Sequence, residues 1–292
     1  MEISSKFVGM SLKTLASTIT WRQTMNYAAA TGDNQPLYFD DERPEGIIAP
    51  PMFAVAVTWP ISERILDFIE AADFPQEIIL TQVHYTEDLS FYRPIRPGDH
   101  LLIRGKVSAI LPHRSGTLVV LRFDGLDREN KLVFTEHIGS LMRGVKCADG
   151  GGGKDDLPLI PEQPKISETI WEVNVPVHAL APFIYDGCTN IYFPIHTSVK
   201  FAHDVGLPGI ILQGTATLAY AVRELTNQEA GGRAECLQSL HCRFAGMVRP
   251  GSDIKVCLQG RKSNNARTQL FFTVLNAKGQ KAISDGVAVF KR

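Results

Sequence analysis

Apolar and polar positions alternate through residues 100–110, 117–126 and 132–141. They do so again through 254–259, 268–275 and 282–290. Val, Ile, Leu, Phe and Thr fill these segments and Gly or Asn marks their breaks, so the pattern predicts two sets of antiparallel strands. Ahead of each set lies an apolar stretch of helical character, residues 52–72 and 214–225. Pro60 lies inside the first and predicts a kink or restart there. A polar loop rich in Gly, Asp, Asn and Pro precedes each helix, at 31–40 and 185–198. An aromatic strand running into an Arg-Pro-Gly turn follows it, at 91–99 and 244–253.

The second half therefore restarts the order of the first, which reads as an internal duplication. Between the halves, residues 148–164 contain four consecutive glycines followed by charges and three prolines. No periodic core-facing element fits that composition, and it predicts an exposed linker. The resulting division is an N-terminal domain over 1–147, a linker over 148–164 and a C-terminal domain over 165–292. Each domain is α+β, one long helix buried against an antiparallel sheet.

A length of 292 residues suits two domains, each able to bury a core of its own. A net charge of −1 without a long basic run removes the usual signature of nucleic-acid or membrane-surface binding. The first ten residues lack the basic start and apolar stretch of a secretory signal. Five cysteines without a C-x-x-C pair fit a reducing compartment, so a cytoplasmic protein is expected. The chain has no G-x-G-x-x-G and no metal-spaced His/Cys cluster, so no metal, flavin or dinucleotide cofactor is expected.

The segment 183–220 carries the most specific signal. Its pieces are Pro194-Ile195-His196, a short helix ending at Gly206, and a glycine-bearing turn that reaches Gln213-Gly214 before the second long helix. This combination resembles the MaoC-like dehydratases and (R)-specific enoyl-CoA hydratases, the hydratase 2 group. Residues 31–38 resemble a weaker copy of the loop, with Tyr38 where the histidine belongs, and both Arg-Pro-Gly turns fit the same family. The resemblance implies two fused hotdog domains, the first catalytically degenerate and helping to shape an acyl pocket. It also implies reversible addition of water to the double bond of a trans-2-enoyl thioester, with coenzyme A present only as part of the substrate.

By that resemblance, His196 takes the position of the family histidine that handles the water proton. Gly214 takes that of the backbone N–H that holds the thioester oxygen. The loop aspartate falls on Asn190, Phe193 replaces the asparagine before Pro194, and Gln213 replaces the histidine before the glycine. Asn190 can hydrogen-bond water but accepts no proton as a carboxylate does, so Asp186, four residues earlier, is the candidate substitute. Asp186, Phe193, Pro194 and Gln213 are expected around the substrate. Asp33 reads as a turn residue, because Tyr38 replaces its partner. The expected partners are an acyl-CoA or acyl-carrier thioester and a second hotdog chain, identical or related, since such sheets often pair edge to edge. Three alternatives stay open: a same-fold enzyme for a bulky or cyclic substrate, a non-catalytic subunit that completes another chain's pocket, and an acyl-thioester binding protein.

Overall fold

The computed structural model describes residues 1–164 and 168–292. In chain order its strands are β1 (Glu2–Ile3), β2 (Leu15–Thr18), β3 (Gln82–Phe91), β4 (His100–His113), β5 (Gly116–Leu126), β6 (Leu132–Arg143) and β7 (Lys146–Cys147), then β8 (Trp171–Pro176), β9 (Leu237–Phe244), β10 (Asp253–Ser263), β11 (Arg267–Leu275) and β12 (Lys281–Lys291). β1 and β7 form a small parallel pair. The others form one ten-stranded sheet in the order β2-β4-β5-β6-β3-β9-β12-β11-β10-β8. Reading outward from the middle gives the same arrangement twice, which is the duplication expected from the sequence. The two halves meet where β3 pairs antiparallel with β9, from Thr86 opposite Arg243 to Ser90 opposite Ser239.

The helices of the first half are α1 (Trp21–Ala30), α2 (Pro36–Phe39), α3 (Phe53–Glu63) and α4 (Ile65–Phe68). Those of the second are α5 (Ala181–Thr189), α6 (Val199–Asp204) and α7 (Gly214–Ala230). The central helices are α3 and α7. On α7, Ala216, Leu218, Ala219, Ala221, Val222 and Leu225 are all buried, so the helix is enclosed on nearly every side. It runs five residues beyond its predicted end and stops at Gly231, whose φ of 60° is left-handed. Pro60 removes one backbone donor from α3, but the helix continues to Glu63 and breaks at Arg64 (φ −117°, ψ 42°). The expected restart therefore comes one turn past the proline.

Two helices escaped the hydrophobic pattern. α1 starts at a capping box in which the Thr20 hydroxyl accepts from the Gln23 N–H and the Gln23 side chain accepts from the Thr20 N–H. α5 takes up residues 181–189, so the polar loop read from residue 185 begins only at Asn190. The glycine-rich stretch also differs from an exposed linker. Gly152 exchanges both backbone hydrogen bonds with Ile110, and Asp149 accepts from the backbone and hydroxyl of Ser5. A Cβ on Gly151 or Gly153 would collide with the carbonyl oxygens of Ile110 and Ser108. The glycines there allow close docking onto β4.

Fully burying a Leu or Val side chain contributes about 1.5–3 kcal/mol, and Leu218 is 0% exposed at the centre of α7. Leu218→Ala should lower the unfolding free energy by about 2–5 kcal/mol, measured by chemical denaturation. A loss well under 1 kcal/mol would contradict the enclosed position of α7.

Candidate active site

His196 closes a single 3₁₀ turn, Pro194–His196, with Pro194 at its first position where a missing N–H costs nothing. Its Nδ1 lies 2.9 Å from the carbonyl oxygen of Ile211. A carbonyl can only accept, so Nδ1 carries the proton and Nε2 is left with a free lone pair. Burial pushes the imidazole pKa down to about 4, against the smaller upward pull of that hydrogen bond. His196 is therefore neutral at pH 7, a form that accepts a proton. No carboxylate contributes to its shift.

The Ile211 carbonyl lies three residues before the start of α7, so His196 is tied to the approach to that helix. Gln213 is buried and donates from Nε2 to the Pro182 carbonyl at 3.0 Å, which fixes the helix start against α5; its Oε1 has no partner. Gly214 opens α7, where the first N–H groups have no partner within the helix and the helix dipole favours negative charge. A Cβ there would sit 3.0 Å from the Phe244 ring. Glycine thus keeps the helix end close to β9.

The remaining expected residues spread out. Asn190 caps the C-terminus of α5 in the left-handed conformation (φ 58°), with its N–H on the Asp186 carbonyl and its side chain exposed. Asn tolerates that backbone better than most residues, so Asn190 serves as a turn residue at the end of α5. Asp186 lies on α5 with Oδ2 buried and unpartnered, and desolvation raises its pKa. Phe193 is 40% exposed and packs edge-on against Phe201 of α6 at 6.1 Å.

The sequence reading missed two buried polar groups. Tyr185 donates to the Thr215 hydroxyl at 3.2 Å, and the Tyr27 hydroxyl lies 2.9 Å from that of Tyr185. Since Tyr185 already donates to Thr215, Tyr27 donates to Tyr185, and the chain of hydroxyls points at the first turn of α7. The second group is His84 and Glu87 on β3 with Glu136 on β6; both glutamates are 0% exposed. His84 Nε2 lies 3.0 Å from Glu87 Oε2 and 3.2 Å from the Thr86 carbonyl. Burial raises the pKa of both carboxyls, and none of their four oxygens has a hydrogen-bond partner.

In the first half, Asp33 and Tyr38 are buried, and Asp33 Oδ1 has no partner. Arg223 of α7 donates to the Thr31 carbonyl at 2.6 Å and holds this loop across the junction of the halves. A cavity of about 250 Å³ opens between the halves near the start of α3, walled by Pro50, Pro51, Phe91, Ile95, Leu237 and Lys291 among others.

Residues 174–280 match the model of the MaoC like domain, and residues 6–136 match that of the FAS1-like dehydratase domain region. Each half of the chain thus matches a dehydratase model of its own. It is 28% identical over 190 residues to a peroxisomal multifunctional enzyme type 2 of Drosophila melanogaster, matching over 63% of this chain but only 30% of that enzyme. It is 22% identical to a probable enoyl-CoA hydratase 2 of Dictyostelium discoideum, over 98% of this chain and 96% of that protein. A MaoC-like dehydratase from Phytophthora capsici superposes with a TM-score of 0.81 at 20% identity, over 98% of this chain and 97% of that one. The fold is thus the double hotdog of α+β class. Among the described residues, no helix is long and apolar enough to cross a membrane.

The depressed pKa of His196 has a consequence for stability. The unfolded chain takes up a proton near pH 6.5, whereas the folded chain resists it until about pH 4. The contribution of this residue is therefore present above pH 6.5 and is lost as pH falls toward 4. The difference in unfolding free energy between wild type and His196→Gln should shrink across that window, measured by denaturation at a series of pH values. A constant difference would contradict the buried neutral imidazole.

Proposed function

We propose that the chain hydrates the 2,3-double bond of an enoyl thioester and dehydrates the corresponding 3-hydroxyacyl thioester. The observation that carries this reading is His196, neutral, with Nδ1 held by the Ile211 carbonyl and Nε2 free, at the approach to the α7 N-terminus. Hydration needs a base for water, a donor set for the thioester oxygen and a proton for the α-carbon. His196 Nε2 takes the water proton as its oxygen bonds to the β-carbon. The free N–H of Gly214 and the dipole of α7 hold the oxygen on which enolate charge collects. The MaoC-like and FAS1-like matches and the hydratases among the relatives support the same chemistry.

The substrate is an acyl-CoA or acyl-carrier thioester, and coenzyme A enters only as its handle. The inter-half cavity, whose walls mix apolar side chains such as Phe91, Ile95 and Leu237 with the charged Arg93, Glu235 and Lys291, is the space available to an acyl chain. Pairing of β3 with β9 already joins two hotdog sheets within one chain, so any homo- or hetero-oligomer would use other surfaces.

The test is loss of enoyl absorbance across short, long and aromatic trans-2-enoyl-CoA esters. Wild type should turn over at least one, and His196→Ala should lower kcat by about 10²–10⁴-fold. Asn190→Ala should stay within about threefold of wild type, because an exposed turn residue that cannot accept a proton contributes little to the barrier. No turnover by wild type on any ester would remove the hydratase reading. A collapse in Asn190→Ala would return that residue to the site.

A further inference from the structure

Two carboxyls lie together in the interior beside the seam. Glu87 of β3 stands opposite Ile138 of β6, and Glu136 of β6 stands opposite Leu89 of β3, so the two acids are diagonal neighbours. Glu87 shares the phase of Leu89 along its strand, and Glu136 shares that of Ile138. Leu89 and Ile138 belong to the core, so both acids point to the inner face of the sheet. Diagonal pairs on one face lie within reach of long side chains. Both residues are 0% exposed, and none of their four carboxyl oxygens has a hydrogen-bond partner.

The surroundings offer little to hold two negative charges. The titratable groups around the pair are His84 and Asp88 on β3, Cys242 opposite Glu87 on β9, Tyr27 on α1 and Tyr185 on α5. Only His84 among them can be cationic. Its Nε2 lies 3.0 Å from Glu87 Oε2 and 3.2 Å from the Thr86 carbonyl. Even as an imidazolium it would offset one carboxylate and leave the other uncompensated. Burial works against that charge as well, lowering the His84 pKa to about 4. Among the described residues, no Lys or Arg forms an ion pair with either glutamate. Two carboxylates here would each have lost their water and would repel one another through a poorly screening interior. A bound proton removes both costs.

We propose that Glu87 and Glu136 form a proton-binding site that holds at least one proton at neutral pH and keeps the β3–β9 seam closed. Loss of that proton loosens the seam. Glu87 lies within the seam, opposite Cys242, and the register of β3 with β9 begins one residue away at Thr86 and Arg243. A second negative charge at Glu87 is therefore relieved most directly by parting these strands and admitting water. The proton belongs to the pair, since two interacting carboxyls titrate together. Burial raises both in the folded chain, whereas in the unfolded chain each titrates near its ordinary value of about 4.3. The stability that the pair supplies is thus complete below about pH 4.3 and is lost as pH rises through the folded-state values. The inference is independent of the hydratase reading.

The experiment uses the full chain. With ¹³C in the glutamate carboxyls, the infrared spectrum at neutral pH separates a protonated glutamate from carboxylates and from the aspartates. A protonated-glutamate band is expected, and its absence would overturn the proposal without any variant. In the double variant Glu87→Gln, Glu136→Gln, the amides match protonated carboxyls in shape and cannot ionise. Between about pH 5.5 and 7, the unfolding equilibrium constant of wild type should rise about tenfold more per pH unit than that of the double variant for each proton held. Equal slopes would also overturn it. Hydrogen exchange at residues 86–90 and 239–243, corrected for the intrinsic effect of pH, locates the response. Protection there should fall in wild type as pH rises above neutral and stay constant in the double variant. Constant protection in wild type would sever the pair from the seam. Should the double variant fail to fold, the infrared band and the wild-type exchange still decide the question.

Discussion

The pairing of β3 with β9 is the constraint on which the molecule depends. Each half alone would end in a long strand with a row of unpaired backbone groups, an edge that invites aggregation. Joining the edges satisfies those groups and makes one ten-stranded sheet. It also sets α1 against α5, so that Tyr27 and Tyr185 meet at 2.9 Å, and brings Phe244 of β9 beside His84 of β3. Every contact between the two halves that bears on chemistry follows from this register. A slip of one residue would exchange inner and outer faces along both strands.

Burial then sets the protonation states along the seam. It lowers the pKa of His196 and His84 and raises that of Glu87 and Glu136. All four groups are thereby biased toward their neutral forms. Such an arrangement costs folding energy and is concentrated where chemistry needs it. The rest of the interior is conventional, with apolar side chains of α3 and α7 enclosed by the sheet.

The duplication, the strand sets and both central helices were legible because their periodicities of two and of about 3.6 continue over many residues. α1 and α5 were not, since helices of only two to three turns give too short a run for their period to stand out. The placement of Asn190 depended on a one-residue choice of register in the loop. At the end of α5, Asn190 takes the left-handed turn and Ile191 goes into the core. Glu136 was readable in principle. It falls in phase with Phe134 and Ile138 on an apolar strand face, and a carboxyl in that phase is an anomaly. Glu87 shares the phase of Leu89 and Phe91, but His84 joins it only through a bulge that alternation does not reveal. The docking of residues 148–157 was equally hidden, because glycines needed for close approach look the same in sequence as glycines in a flexible tether.

Fusing the two halves also changes what mutation can do. In a symmetric homodimer every substitution is made twice, once in each site, so the two sites must stay alike. A single chain has no such obligation. Here one loop keeps an aspartate, Asp33, without the histidine, and the other keeps the histidine, His196, without an adjacent carboxylate. Each copy is free to lose what the other retains, and the spare half can drift toward shaping or holding a ligand. The covalent link through residues 148–164 thus lets one fold explore two different sites while the shared sheet keeps both copies folded.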